Sequence, residues 1–271
     1  MLARVQHANS VGNFLTQRGL PARSLYSPKI MQLRAGTQLK YAALYNYLPG
    51  STIPWEAYTM DHIKALGKTM SDMHAVLADF NAQSLPDIAL ESIQLNERML
   101  DYFASPSVAD ALATKLNVRV TDTDFAKLLR ACSHLPRQQA LHMDFVRGNI
   151  VFIGTQITGI LDFEKAARGS VLFDIARTLA FLLVDCKYKE ESKIRKYFLL
   201  SGYVKRGHSK LPAVRIGQLS VLEGLIKFFL VHDFYKFLRH NPYESLPRNE
   251  HFVRTKAMLL KHRLITSARV E

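Results

Sequence analysis

Four side chains in this sequence have the types and the spacing to handle a hydroxyl group beside a hard divalent cation: His142, Asp144, Asn149 and Asp162. They fall in residues 141 to 174, LHMDFVRGNIVFIGTQITGILDFEKAARGSVLFD. An ionised carboxylate can accept a hydrogen bond from a hydroxyl and then take its proton. A second carboxylate and an amide oxygen are hard ligands of the kind magnesium prefers. Two apolar runs, Asn149 to Ile153 and Ile157 to Phe163, flank Gly154 and Thr155, which predicts a short β-hairpin turned at those two residues. The hairpin would bring His142, Asp144 and Asn149 to one mouth, with Asp162 near the end of the second strand. Asp144 and Asn149 also suit ordinary turns, because their side chains bond to nearby backbone. Asp162 is harder to read that way: between Leu161 and Phe163 it is expected inside a strand, where an acid is depleted and costly to bury unpaired.

His142-Met143-Asp144, four further residues and Asn149 match the protein-kinase catalytic loop H-R-D-x-x-x-x-N, which is followed by a second, metal-binding Asp. Leu161-Asp162-Phe163-Glu164 stands in that second place, and Asp174-Ile175-Ala176 follows. In this form the stretch resembles the aminoglycoside phosphotransferase and choline kinase family, with its H-G-D-x-x-x-x-N, I-D-F and D-I-A or D-L-A elements. The resemblance implies an α+β, protein-kinase-like fold: a mostly helical C-terminal lobe with a catalytic hairpin, and an N-terminal lobe that is incomplete here. It implies ATP and Mg2+ as cofactors and a small-molecule hydroxyl acceptor as partner. Asp144 would be catalytic, orienting the hydroxyl, with His142 bracing the loop. Asn149 and Asp162 would be the metal ligands, and backbone groups of Tyr45, Asn46, Tyr47 and Leu48 would meet the adenine. Asp174 reads by position as the N-cap of the apolar run Ile175 to Val184; in the family it braces the catalytic loop.

The elements that must hold these residues follow from periodicity and punctuation. Residues 3 to 18 carry Val5, Val11, Phe14 and Leu15 at helical spacing and stop at Gly19, before Pro21. Residues 29–34 and 39–48 read as strands joined through Ala35-Gly36, closed by Leu48-Pro49-Gly50. From Thr59 to Leu77 an amphipathic helix places Ile63, Leu66, Met70, Met73 and Leu77 on one face. Gly67-Lys68-Thr69 within it echoes the end of a phosphate loop, but His62 stands where the first glycine is needed, so the segment is read as helix. His74, on the apolar side, is read as a packed histidine. Further helices are expected at 86–103, 107–118, 121–132, 174–186, 190–202, 211–240 and 249–266. Set on these elements, the resemblance implies a partial nucleotide lobe, 1–48, and a helical catalytic and substrate lobe, 49–271.

Departures from the family pattern matter equally. No G-x-G occurs, the first lysine is Lys29, and the opening helix carries no acid, so the glycine-rich hairpin, the strand lysine and its acidic partner are missing. The chain is therefore expected to be a piece of a longer protein or a degenerate relative, with ATP binding impaired. Arg147 and Lys165 are placed by position to neutralise phosphate instead. The function implied is an ATP-dependent kinase of a small-molecule hydroxyl. The alternatives are a catalytically silent, pseudokinase-like binding protein and a basic nucleic-acid binder.

Composition bounds these readings. The 271 residues, 48% hydrophobic, suffice for one large or two modest domains with a real core. No apolar run has membrane-spanning length, and the N-terminus has no secretory signal. Cys132 and Cys186 lack metal or redox spacing, so a reducing, cytoplasmic setting is expected. A net charge of +13 draws anions, but the basic residues are scattered and no nucleic-acid motif accompanies them. Glu223 and Asp233 are the acids of the 215–240 stretch, among many bases, which favours a neutral or anionic acceptor over a polycation.

Overall fold

The opening helix, α1 (Leu2–Gln17), ends where Gly19 takes a left-handed turn at φ 82°, a conformation cheap only for glycine. The computed structural model describes residues 2–121, 123–136, 138–204 and 216–268. After α1 come the strands β1 (Met31–Ala35) and β2 (Gln38–Ala42), then α2 (Met60–Leu77), α3 (Ile88–Ala104) and α4 (Pro106–Leu116). Next are β3 (Val118–Val120), α5 (Ala126–Ser133), β4 (Gln139–Leu141), β5 (Ile150–Ile153), β6 (Gln156–Ile160) and β7 (Ala167–Gly169). The remainder is α6 (Leu172–Asp185), α7 (Glu191–Arg195), a π-helical segment at Lys196–Tyr203, α8 (Ile216–His240), α9 (Glu250–Lys261) and β8 (Ile265–Ser267).

These elements sort into two compact units, each drawn from several stretches of chain. The first comprises Met1–Leu85, Gln139–Ala167 and Lys196–Leu211; the second comprises Pro86–Gln138, Arg168–Arg195 and Pro212–Glu271. This is a partition by packing. The division at residue 48 is one by correspondence to family lobes.

In the first unit, β5 and β6 pair antiparallel around Gly154, which sits at φ 56°. Further backbone bonds widen this hairpin: Ser51 bridges Phe152 on one side, and Ala22 bridges Ile160 on the other. Gly12 of α1 lets the 21–23 segment come close, since a Cβ there would lie 2.1 Å from the Arg23 carbonyl oxygen and 3.4 Å from the Phe163 ring. The start of α2 is a reciprocal cap. Thr59 Oγ1 accepts the His62 N–H at 3.3 Å, and His62 Nδ1 accepts the Thr59 N–H at 3.0 Å. His62 Nε2 is then the protonated nitrogen and donates to the Gly154 carbonyl at 3.0 Å, tying the hairpin tip to α2.

The segment echoing a phosphate loop is, as read, the middle of α2. Gly67 is there for packing: a Cβ would lie 2.1 Å from the Phe198 carbonyl oxygen and 2.9 Å from the Tyr203 nitrogen, both in the π-helical segment. His74 is fully buried, with Nδ1 2.8 Å from the Tyr203 hydroxyl.

In the second unit α8 packs on α6 and α9, and α3 on α5. Four expectations are corrected. The helix expected to run to residue 266 stops at Lys261, because Arg263 turns left-handed at φ 57° and releases Ile265–Ser267 to pair with Val118–Val120. Asp174 is not an N-cap: α6 begins at Leu172 after Val171, and Asp174 lies in its first turn, where an acid favours the helix dipole. Residues 190–202 change from α to π geometry at Lys196. The strand after the hairpin turn ends at Ile160, so Asp162 is not a strand residue. The expected start of the 211–240 helix lies outside the described residues up to 215.

Candidate active site

The peptide unit of Leu161 is the pivot of the site, gripped from both sides. His142 Nδ1 accepts the Asp144 N–H at 3.1 Å, which leaves the proton on Nε2 to donate to the Leu161 carbonyl at 3.0 Å. The Leu161 N–H donates to the Asn149 carbonyl at 2.8 Å. The catalytic loop and the residue before Asp162 are thereby locked together through three hydrogen bonds. His142 is buried, its ring 4.7 Å from that of Phe163 and 5.9 Å from that of Phe145, so it holds its orientation by packing as well. These bonds suit the bracing role expected of it.

Asp144 is nearly enclosed, with its side chain 9% exposed. Asn149 Nδ2 donates to the Asp144 carbonyl at 2.9 Å and to its Oδ2 at 3.0 Å. Lys165 Nζ lies 2.9 Å from the Asp144 Oδ1 and is itself 52% exposed. Asp162 follows the pivot at φ 57°, and its Oδ1 accepts the Glu164 N–H at 3.3 Å. A short polar residue tolerates that left-handed geometry by such local bonding. Met143 is also left-handed, at φ 60°. The family motif carries glycine at this position, and a side chain there costs backbone strain on the order of 1 kcal/mol or more.

The residues expected at the metal fit a hard cation. Because Asn149 Nδ2 is spent on Asp144, the amide oxygen is its atom left for a ligand, and Asp162 adds a carboxylate. Two protein oxygens are what magnesium needs when phosphate oxygens and water complete its shell. Among the described residues no cluster of three or more His, Cys, Asp or Glu is arranged to hold a metal.

The four residues expected at the adenine separate into two kinds. Asn46 is a structural clamp: its Oδ1 accepts the Ser24 N–H at 2.8 Å, its Nδ2 donates to the Ala22 carbonyl at 3.1 Å, and its own N–H donates to the Ser24 carbonyl at 3.0 Å. Tyr45 donates its hydroxyl to Asn9 Oδ1 at 3.0 Å, with Arg23 over its ring. Tyr47 is 85% exposed and Leu48 is half-buried, so their backbone is the part still suited to a ligand. Arg147 is exposed in the turn before Asn149.

Sequence reasoning named Lys165 by position alone. Its contact with Asp144 depends on the turn after Asp162, and no local pattern announces it. The two acids singled out on α8 are both engaged by cations. Glu223 receives Arg195 at 2.5 Å, and Asp233 lies 2.7 Å from His251 Nε2.

Residues 3–187 match the model of the phosphotransferase enzyme family, APH, and the chain belongs to that family. The chain is 30% identical over 164 residues to a homoserine kinase of Methylobacterium nodulans, covering 58% of this chain and 48% of that protein. It is 26% identical over 196 residues to a hydroxylysine kinase of Danio rerio, covering 64% and 53%. It thus spans about half the length of the curated relatives it matches. Among solved structures, the amicoumacin kinase hAmiN superposes with a TM-score of 0.70 at 14% identity, over 96% of this chain and 76% of that one. The fold is therefore the α+β, protein-kinase-like fold of this family, as the catalytic stretch implied. Among the described residues no helix is long and apolar enough to cross a membrane.

Proposed function

We propose that this chain acts as an ATP-dependent kinase that phosphorylates the hydroxyl of a small hydroxy amino acid, with Mg2+ as the metal. One observation carries the reading: His142 and Asn149 both bond Leu161, and His142 also receives the Asp144 N–H, which ties the loop bearing Asp144 and Asn149 to the residue before Asp162. Two relatives that match the chain are named as kinases of hydroxyl-bearing amino acids. The hAmiN structure was solved with AMP-PNP and Ca2+, which supports a nucleotide and a divalent ion here.

In this reading Asp144 accepts a hydrogen bond from the acceptor hydroxyl and aims its oxygen at the γ-phosphorus. As the new O–P bond forms and the bond to the β-phosphate oxygen breaks, the hydroxyl proton passes to Asp144, and ADP leaves. Asn149 and Asp162 would hold the metal, whose charge would offset that of the phosphates when bound. His142 keeps the loop in register, and the backbone of Tyr47 and Leu48 receives the adenine, that of Tyr45 and Asn46 being bonded to residues 24–26. Catalysis then consists of positioning and charge neutralisation, without covalent work by the protein.

The test is ADP release from MgATP with L-homoserine or hydroxylysine as acceptor, run beside thermal unfolding with and without MgATP. Turnover that depends on the acceptor and is lost in Asp144→Asn supports the proposal. A shift in unfolding temperature with MgATP but no turnover would favour the catalytically silent alternative, since a ligand that prefers the folded state must stabilise it. Neither turnover nor a shift would remove the nucleotide from the account.

A further inference from the structure

The ion pair at the heart of the site has a second consequence, resting on the function proposed above. Asp144 is the group assigned to the acceptor hydroxyl, yet its Oδ1 is met at 2.9 Å by Lys165. The two partners differ in freedom, one carboxylate nearly enclosed and one ammonium half in solvent. The base of Lys165 is fixed by a tight turn. Asp162 is left-handed, its Oδ1 accepts the Glu164 N–H, and the Ala166 N–H donates to the Phe163 carbonyl at 2.9 Å. Phe163 and Ala166 are buried on either side, so the backbone cannot follow the ammonium, whereas its four-carbon stem can swing. Lysine suits such a task because its charge is compact and its three donors rotate freely, unlike the rigid fork of arginine.

We propose that Lys165 is a mobile cation shared between Asp144 and the terminal phosphate of the nucleotide. In the ligand-free chain it covers Oδ1 of Asp144 and balances that buried charge. A bound polyphosphate, with several negative charges, draws Lys165 off the carboxylate. Oδ1 is then exposed to the acceptor hydroxyl at the moment the phosphoryl donor is in place. The same residue supplies phosphate contact. Acceptor engagement thereby becomes dependent on nucleotide, which limits wasteful transfer to water.

Binding of inorganic tripolyphosphate and of MgATP, measured by calorimetry on the full chain, tests this through a double-mutant cycle. Lys165→Met is expected to weaken tripolyphosphate binding about tenfold, the size of one charge-assisted contact to an anion. Asp144→Asn is expected to tighten it about three- to fivefold, because the competing carboxylate is gone. In the double variant that gain should vanish, leaving the affinity of Lys165→Met alone. A gain from Asp144→Asn that persists without Lys165 would mean simple removal of negative charge, and would overturn the proposal. Turnover supplies a separate readout: Lys165→Met should lower kcat while the acceptor KM stays level or falls, and Lys165→Arg should restore part of kcat. A kcat unchanged in Lys165→Met overturns the proposal. If the parent chain turns over no hydroxy amino acid, the functional reading fails, and the binding cycle still decides the role of Lys165.

Discussion

Asp144 and Asp162 are two carboxylates with separable tasks, and substitution should separate them. Asp144→Asn keeps the shape of the side chain and its bond from Asn149 Nδ2, but removes the proton acceptor. We expect kcat to fall on the order of 10²-fold or more, the usual contribution of a positioned base, with nucleotide affinity retained or improved. Asp162→Asn should instead weaken MgATP binding while leaving metal-free ATP binding nearly unchanged, read by titration with and without EDTA. Equal behaviour of the two variants in both assays would show that the site is misassigned. Both acids were legible because the chemistry dictates the residue types and the hairpin dictates their spacing. The state of Asp144 was not legible. Its pairing with Lys165 is set by a left-handed turn at Asp162, and left-handed geometry at a residue other than glycine leaves little trace in sequence.

Elements here are held at their closest approaches by glycine. At Gly67 the α2 backbone touches the π-helical segment Lys196–Tyr203, and any side chain would strike main-chain atoms that cannot move aside. Gly67→Ala should therefore destabilise by about 1–3 kcal/mol, the range for overpacking a close contact, measured by urea unfolding. Gly148→Ala serves as control, since nothing lies within 4 Å of a Cβ there, and its stability should change far less. Equal losses in the two variants would refute the packing account. The helical spacing of Ile63, Leu66, Met70, Met73 and Leu77 revealed α2 from sequence, and all five side chains are buried. Short strands were the elements missed. β3 and β8 are three residues each and pair across most of the chain, so each lacks the length over which alternation becomes a signal.

Charge at the scale of the whole molecule is organised more than the net +13 implies. In the second unit Glu191 gathers Arg195 and Lys261, and Glu250 gathers Lys187 and Arg254. At the centre of this region His251 donates Nδ1–H to Asp185 at 2.6 Å and Nε2–H to Asp233 at 2.7 Å. Burial opposes the charged imidazolium, but the hydrogen bonds and charges of the two carboxylates outweigh it and lift the group from 6.5 to about 9. Protonation therefore favours the folded chain. Its contribution is complete below pH 6.5 and is lost as pH rises through about 9. We expect the parent chain to lose up to about 2 kcal/mol more than His251→Gln between those limits, by denaturant unfolding at matched ionic strength. Parallel pH profiles for the two would show that the cluster is not charged as described.

The chain by itself determined the residue types of the site, their order, and the helices that carry an apolar face, because catalytic chemistry and helical periodicity are both local properties of sequence. It also announced the family, through His142, Asp144, Asn149, Asp162 and Asp174 in order. Only the tertiary structure decided that one peptide, Leu161, links the loop to the metal-side acid, that Asn46 is a clamp on residues 22–24, and that Glu223 and Asp233 are already neutralised. Each of those outcomes is a choice of partner between residues distant along the chain. Such partners are selected by which surfaces packing brings within hydrogen-bond reach, and spacing along the chain does not encode that.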